Sequence, residues 1–522
     1  MSKLVNFKKK APITKKAQKN ILSSCVPTGV DHSYTNHVDL PMACLQKEIE
    51  ILVLKTDKYD LITMWGKLQG AIDRFSKIAQ PGEEQETSSK PRKFSYGRPE
   101  FLQLNDDEVQ VCQDIYTRPI IVPRDEMLLL RTSGYAEVIN GGKSKLNEDQ
   151  STSKQFFIKK KSVKNGAVST EIPLEPITDG GPMNEIPVTY FAIFDGHAGP
   201  DAALMASKLL HKLVEEKLNG VKDFIFEIAG PTKGQLGDSK HDSKSISIHS
   251  LVIGALEQSF ISMDQQIVDE KQNYTISGGC AVIVALFLLG KLYIANAGDC
   301  RAIYCNKKVT VQLSNDMTPH YERQRIMIQA MTRPELIGED FTYNEYTRRI
   351  TRNDIGKRIL YRGPMMTGWS YKVADEEDLK VPLIFKLGGK SRLMQTIGVS
   401  RGFGDHDLRV FDSRIYLKPL LSAVPEVKVF DLKSNVEDAV LVMASDGLWD
   451  VITTEDVRTT VYNVLNQSRK DDPKRFNAVA QELVMQARGT PAHGMNGWTK
   501  KDGSAGSFDD ITVLVIPLGD GV

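Results

Sequence analysis

At 522 residues the chain exceeds the size at which a single core usually stops growing, so one large domain with insertions and two separate domains both fit. Lys plus Arg number 67 against 66 for Asp plus Glu, a balance that gives no global field for drawing in nucleic acid or an anionic membrane; nucleic acid is not an expected partner, and any charge argument must be local. Six scattered cysteines (Cys25, Cys44, Cys112, Cys280, Cys300, Cys305) form no CxxC pair and read as reduced thiols of an intracellular, cytoplasmic protein.

Residues 1–92 read as an N-terminal accessory region, partly disordered and Lys-rich. Lys3, Lys8, Lys9, Lys10, Lys15, Lys16 and Lys19 precede the first acid, Asp31. A solvated arm is the simpler reading, and weak peripheral contact with an anionic membrane is the other. Trp65, Leu68, Ile72, Phe75 and Ile78 recur at helical spacing, and "QPGEEQETSSKPRK" from Gln80 is a polar, proline-bearing linker. A second domain is expected over 93–518.

Within it, Asp201 to Asn219 predicts a helix entered through Pro200 and ended at Gly220, and Leu251 to Glu270 predicts another. The Gly-, Ser- and Lys-rich residues between them, 230–247, predict a mobile surface insertion. Cys280 to Leu289 is the longest apolar run, about half of the roughly 20 residues that a membrane-spanning helix needs. It reads instead as the first strand of an antiparallel meander continuing through Leu292–Ala297, Ala302–Cys305 and Val309–Leu313. Further strands are expected at Tyr190–Phe194, Glu426–Phe430, Ala439–Ala444 and Ile511–Ile516, with helices near Glu455–Leu465 and Pro473–Ala487. Runs of strands punctuated by runs of helices indicate an α+β fold.

Three phosphate-site motifs are near misses. "GGKS" at Gly141 and again at Gly388 lacks the earlier glycine of a nucleotide loop, whose position holds Glu137 and Ile384. Cys112 and Arg118 have the Cys-x5-Arg spacing of cysteine-based phosphatases, but no glycine lies between them to turn N–H groups toward a phosphate.

Acids placed where strands end are harder to dismiss. "YFAIFDGHAGP" runs an apolar strand into Asp195-Gly196-His197, "AVLVMASDGLWDV" ends at Asp446 with Asp450 four residues on, and "GSFDDITVLVIPL" sets Asp509-Asp510 just before a strand. "LYIANAGDCRAIY" places Asp299 at a turn, and "NEDQ" carries Glu148 and Asp149. A single Asp-Gly is usually a turn. Spacing alone does not show that these acids converge.

In the order "NEDQ", "FAIFDGHAGPDAA", "SGGCAVIVALFLLGKLYIANAGDCRA", "TIGVSRGFGD", "ASDGLWDV" and "GSFDDITVLVI", these blocks resemble the metal-dependent protein serine/threonine phosphatases of type 2C, the PPM family, over about Ser133 to Pro517. "GRPEFLQL", "SGYAEVI", "MTGWSYK" and "DEEDLKVPLI" are similar to the animal branch with members H, J and M. The resemblance implies a four-layer αββα sandwich of two antiparallel sheets flanked by helices, with an enlarged flap insertion over 327–393. It also implies hydrolysis of phosphoserine and phosphothreonine in protein substrates by a water bridging two Mg²⁺ or Mn²⁺ ions. By motif, Asp195 would bridge both ions, Asp446 and Asp509 would complete one site, and Glu148 with the carbonyl of Gly196 the other. Asp149 would accept from metal-bound water, His197 would be the general acid, and Asp299 and Asp450 with Asp446 would form a third, weaker metal site. Ser144 stands where the family has a phosphate-gripping arginine, which leaves Lys143 or Lys145 as the substitute charge. Phosphorylated small GTPases are a substrate class suggested by the branch alone. The rival reading is a catalytically weak or inactive relative that uses the fold to bind partners.

Overall fold

Alternation along four long strands decides the layering. In the computed structural model, β3 (Glu185–His197) sends Tyr190, Ala192 and Phe194 to one apolar cluster and Phe191 and Ile193 to another. Such a strand is buried on both faces and must lie in a sheet covered on both sides. The structure describes residues 90–125, 128–160, 184–229, 246–386, 389–411, 413–432, 439–491 and 497–519. The helical periodicity around Trp65, the Lys-rich arm and nearly all of the 230–247 insertion lie outside these residues.

One sheet contains β2 (Gln150–Lys159), β3, β4 (Gly279–Leu288) and β5 (Lys291–Ala297), followed by β11 (Glu426–Asp431) on its far edge, every neighbouring pair antiparallel. The other runs in the order β1 (Gly134–Val138), β13 (Ile511–Pro517), β12 (Val440–Ala444), β6 (Arg301–Cys305) and β7 (Thr310–Gln312), also antiparallel. Their inner faces meet through Ile193, Ile283, Ile294, Leu441, Met443 and Leu514. Helices α1 (Asp201–Ala229) and α2 (Ile248–Glu270) cover the first sheet, while α4 (Asp446–Trp449), α5 (Thr454–Gln467) and α6 (Arg475–Arg488) cover the second. The fold is therefore the expected α+β sandwich, helix layer, two antiparallel sheets, helix layer.

Two expectations need correction. Helix α1 does not stop at Gly220 but continues to Ala229. Beyond the glycine, Ile225 and Phe226 still face the core, and their burial outweighs the roughly 1 kcal/mol that a helical glycine costs. The meander from Cys280 to Leu313 is not one sheet: β4 and β5 belong to the first, β6 and β7 to the second. The chain changes sheet over Gly298–Cys300, and Asp299 sits at that crossing.

The long insertion, together with the chain that flanks it, builds a core separate from the sandwich. Helix α3 (Arg323–Thr332) packs Ile326, Met327 and Ala330 against Leu383, Leu393 and Leu420. A three-stranded sheet, β8 (Glu345–Tyr346), β9 (Arg358–Arg362) and β10 (Ser370–Val373), lies over a separate small cluster of Tyr346, Ile350 and Ile359. Among the described residues, no helix is long and apolar enough to cross a membrane.

Candidate active site

Strand register brings the acids together. Gln150 opens β2 opposite Phe194, so Glu148 and Asp149, just before it, arrive beside Asp195, the next residue of β3. Ala444 near the end of β12 pairs with Val513 on one side and Arg301 on the other, which carries Asp446 to the level of Asp510 and Asp299. Both sheets thus deliver carboxylates to the same end of the sandwich. One oxygen each from Asp195, Asp299 and Asp446 lies within 4.8 Å of the others. The Asp446 amide also donates to Asp195 Oδ2 at 3.3 Å.

Two glycines allow this approach. A Cβ on Gly196 would lie 2.3 Å from the Glu148 carbonyl oxygen, and one on Gly447 would lie 2.0 Å from that of Asp510. Gly196→Ala should therefore displace the Glu148 backbone and lower stability by about 1–3 kcal/mol, read as a fall in the thermal midpoint; an unchanged midpoint would show that the strand ends can part freely.

Glu148 Oε1 accepts from the Gly199 amide at 2.8 Å, and the Glu148 amide donates to Asp510 Oδ2 at 3.1 Å. Asp510 Oδ1 accepts from the backbone and side chain of Asn140 at 2.8 and 3.1 Å. Asp149 is buried; Ser445 Oγ donates to its Oδ2 at 2.8 Å, whereas its Oδ1 has no hydrogen-bond partner. A buried carboxylate oxygen left open beside other acids suits a water or a cation's hydration shell.

The electrostatics are those of crowded anions. Burial, then repulsion from Asp446, raises the Asp195 pKa well above the usual carboxylate range. Burial with the Asp446 charge pushes Asp299 up to about 7, and burial with the neighbouring Asp509 pushes Asp510 up to about 7. Burial also raises Asp149 and Glu148. All the available donors are hard oxygens, the set preferred by Mg²⁺ and Mn²⁺ over softer ions. The residues present thus fit a divalent cation.

Two lysines reach this anionic cluster. Lys143 Nζ contacts Asp509 at 2.6 and 2.8 Å, and Lys390 Nζ contacts Asp446, Asp450 at 2.9 Å and Asp299 at 3.5 Å. Lys145 is exposed, and Ser144 closes the local turn by donating to the Leu146 carbonyl at 2.6 Å. His197 leaves the end of β3 with Nε2 2.8 Å from Asp405 Oδ2. Burial alone would lower its pKa, but the hydrogen bond and charge of Asp405 outweigh this and raise it. Ala198 and Asp405 both hold left-handed backbone, φ 56° and 57°. Strain of this kind, of order 1–3 kcal/mol per residue, concentrates where geometry is functional.

A protein-family profile described as "Protein phosphatase 2C" matches residues 174–339 and 382–491. "Protein phosphatase 1H" of Xenopus tropicalis is 42% identical over 508 residues, covering 88% of this chain and 99% of the relative. Human "Protein phosphatase 1H" is 41% identical over 83% of this chain and 92% of its own length; for human "Protein phosphatase 1J" the values are 41%, 85% and 90%. The chain belongs to the protein phosphatase 2C family.

This type 2C phosphatase chain also brings to the cluster three residues that no motif singled out. Asp405 closes the quoted "TIGVSRGFGD" block, yet its pairing with His197 spans 208 residues and has no local signal. Asp510 is adjacent to the predicted ligand Asp509 but turns inward, as expected for one of two neighbouring side chains entering a strand. Lys390 belongs to a "GGKS" stretch rejected as a nucleotide loop, and nothing in its surroundings marks it as a partner of Asp446, 56 residues away. The cysteine-phosphatase motif is structural. Burial pushes the Cys112 thiol up to about 11, and buried Arg118 donates to the carbonyls of Ile139, Ser507 and Asp509 at 2.7, 2.8 and 3.0 Å.

Proposed function

We propose that the chain is a metal-dependent protein serine/threonine phosphatase. The observation that carries this reading is the convergence of Asp195, Asp299 and Asp446 beside the half-satisfied Asp149, with His197 held by Asp405 at the rim. Asp195, Asp446 and Asp509 would hold one Mg²⁺ or Mn²⁺, Asp195, Glu148 and the Gly196 carbonyl a second, and Asp299 and Asp450 with Asp446 a weaker third. When bound, such ions supply positive charge at the phosphoryl oxygens and lower the pKa of a water between them.

The chain's own groups do the rest. Asp149 accepts a hydrogen bond from the attacking water and orients it, while Ser445 fixes the carboxylate's other oxygen. As the water oxygen bonds to phosphorus, the bond from phosphorus to the Ser or Thr oxygen breaks. His197 gives its proton to that leaving oxygen and is reprotonated from solvent; Asp405 keeps the imidazole oriented and favours its charged form. Lys143, 49% exposed on its loop, can swing from Asp509 to a phosphoryl oxygen as a point charge.

The substrates follow as phosphoproteins, with phosphorylated small GTPases the class suggested by the branch. The insertion's separate core beside the site makes it the candidate for selecting among them. In a cytoplasmic phosphatase the Lys-rich arm would add weak membrane contact.

His197→Ala separates this mechanism from alternatives. Turnover of a phosphothreonine peptide should fall by about 10²–10⁴, the range for loss of a general acid. Turnover of p-nitrophenyl phosphate, whose leaving group departs without a proton, should fall far less. Equal losses on the two substrates would remove His197 from the acid's role, and a phosphoenzyme trapped by acid quench would contradict direct attack by water.

A further inference from the structure

Lys390 is the one described cation that reaches Asp299, Asp446 and Asp450 together. Its position comes from the insertion. It lies at the end of a two-stranded hairpin in which Ser391 pairs with Lys386 and Leu393 with Ile384. Leu393 is fully buried in the insertion's core, and Ser391 Oγ accepts from the His320 amide at 3.1 Å. The ammonium is therefore carried to the acids by a rooted element rather than by a loose surface chain. Its side chain remains 38% exposed, so replacing it leaves no buried void.

Building on the metal-dependent reading, we infer that Lys390 is a tethered cation occupying the position that a third divalent ion would take on Asp299, Asp446 and Asp450. An ammonium and a divalent ion drawn to the same oxygens of Asp299 and Asp450 would stand close enough to repel each other strongly. Binding of a third ion must then expel Lys390 and loosen its hairpin. By linkage, whatever holds the insertion closed weakens the third ion by the same factor. A phosphoprotein that engages the insertion would thus alter metal occupancy without touching the metal ligands.

The test is Mn²⁺ binding by calorimetry and by electron paramagnetic resonance of free Mn²⁺, on wild type and Lys390→Met. Wild type should take up two ions tightly and a third weakly, and the variant should bind the third about 5–150-fold more tightly, the range of such couplings. Asp450→Asn in the Lys390→Met background should reverse the gain. Hydrogen exchange at the 384–386 and 391–393 amides should quicken in wild type only at Mn²⁺ levels that fill the third site, and be independent of Mn²⁺ in the variant. Two tight ions with an identical third constant in both proteins would overturn this inference alone. No Mn²⁺ bound by either would overturn the metal-dependent reading along with it.

Discussion

Asp195→Asn is expected to lower phosphate release from a phosphothreonine peptide by about a thousandfold or more, since on the proposed ligand set it removes a carboxylate shared by two ions and forfeits several kcal/mol of charge stabilisation at roughly 1.4 kcal/mol per factor of ten. The same substitution should have the opposite effect on the metal-free fold. Asp195 is crowded by the charges of Asp446, Asp149, Asp299 and Asp509, so neutralising it relieves repulsion that the folded protein otherwise tolerates. In chelator the variant should melt higher than wild type, by on the order of 2–4 °C. In excess Mn²⁺ the order should reverse, because ions that bind only the folded state stabilise wild type by mass action. A variant that is less stable under both conditions, or retains full turnover, would show that Asp195 has a structural role only.

The second large effect lies behind the site. Arg98 is buried against Glu137, with its Nε and Nη2 both 2.7 Å from the carboxylate. Its Nη1 donates to the carbonyls of Asn147 and Asp149 at 3.1 and 2.8 Å, so one guanidinium fastens the loop that carries Glu148. Arg98→Met leaves Glu137 charged and buried with only the Tyr135 hydroxyl beside it, which should cost about 3–5 kcal/mol. Chemical denaturation at neutral pH measures this directly. The double variant Arg98→Met with Glu137→Met should recover much of the loss, because two apolar groups of similar size avoid the stranded charge. If the double variant is as unstable as the single one, the carbonyl bonds to the 147–149 loop, rather than the ion pair, carry the stability.

What the sequence shows of this protein follows the range over which its signals act. The apolar runs at Tyr190–Phe194, Cys280–Leu289 and Ile511–Ile516 read as buried strands because their periodicity is local, and they are strands. The acids stand out because each follows or precedes such a run. Their meeting is a matter of register between strands hundreds of residues apart, and only the ordered blocks shared with a known family made it legible. Where no local pattern existed, the signal was absent. The change of sheet at Asp299 looks like an ordinary turn of a meander; the passage of α1 through Gly220 is decided by Ile225 and Phe226 meeting the core; and the pairs His197 with Asp405 and Arg98 with Glu137 are tertiary contacts between unrelated segments. Lys390 is the sharpest case, a lysine with no local mark of its role, brought to the acids by a hairpin of three residues a side.

Metal-dependent hydrolysis of protein phosphoserine and phosphothreonine can be followed as inorganic phosphate released from a phosphothreonine peptide by purified protein. It should be measured first in chelator, then during back-titration with Mn²⁺. Release should stay at background in chelator and recover fully as Mn²⁺ is restored. Undiminished release in chelator, or none from folded protein shown to bind Mn²⁺ and offered several phosphopeptides, would contradict it.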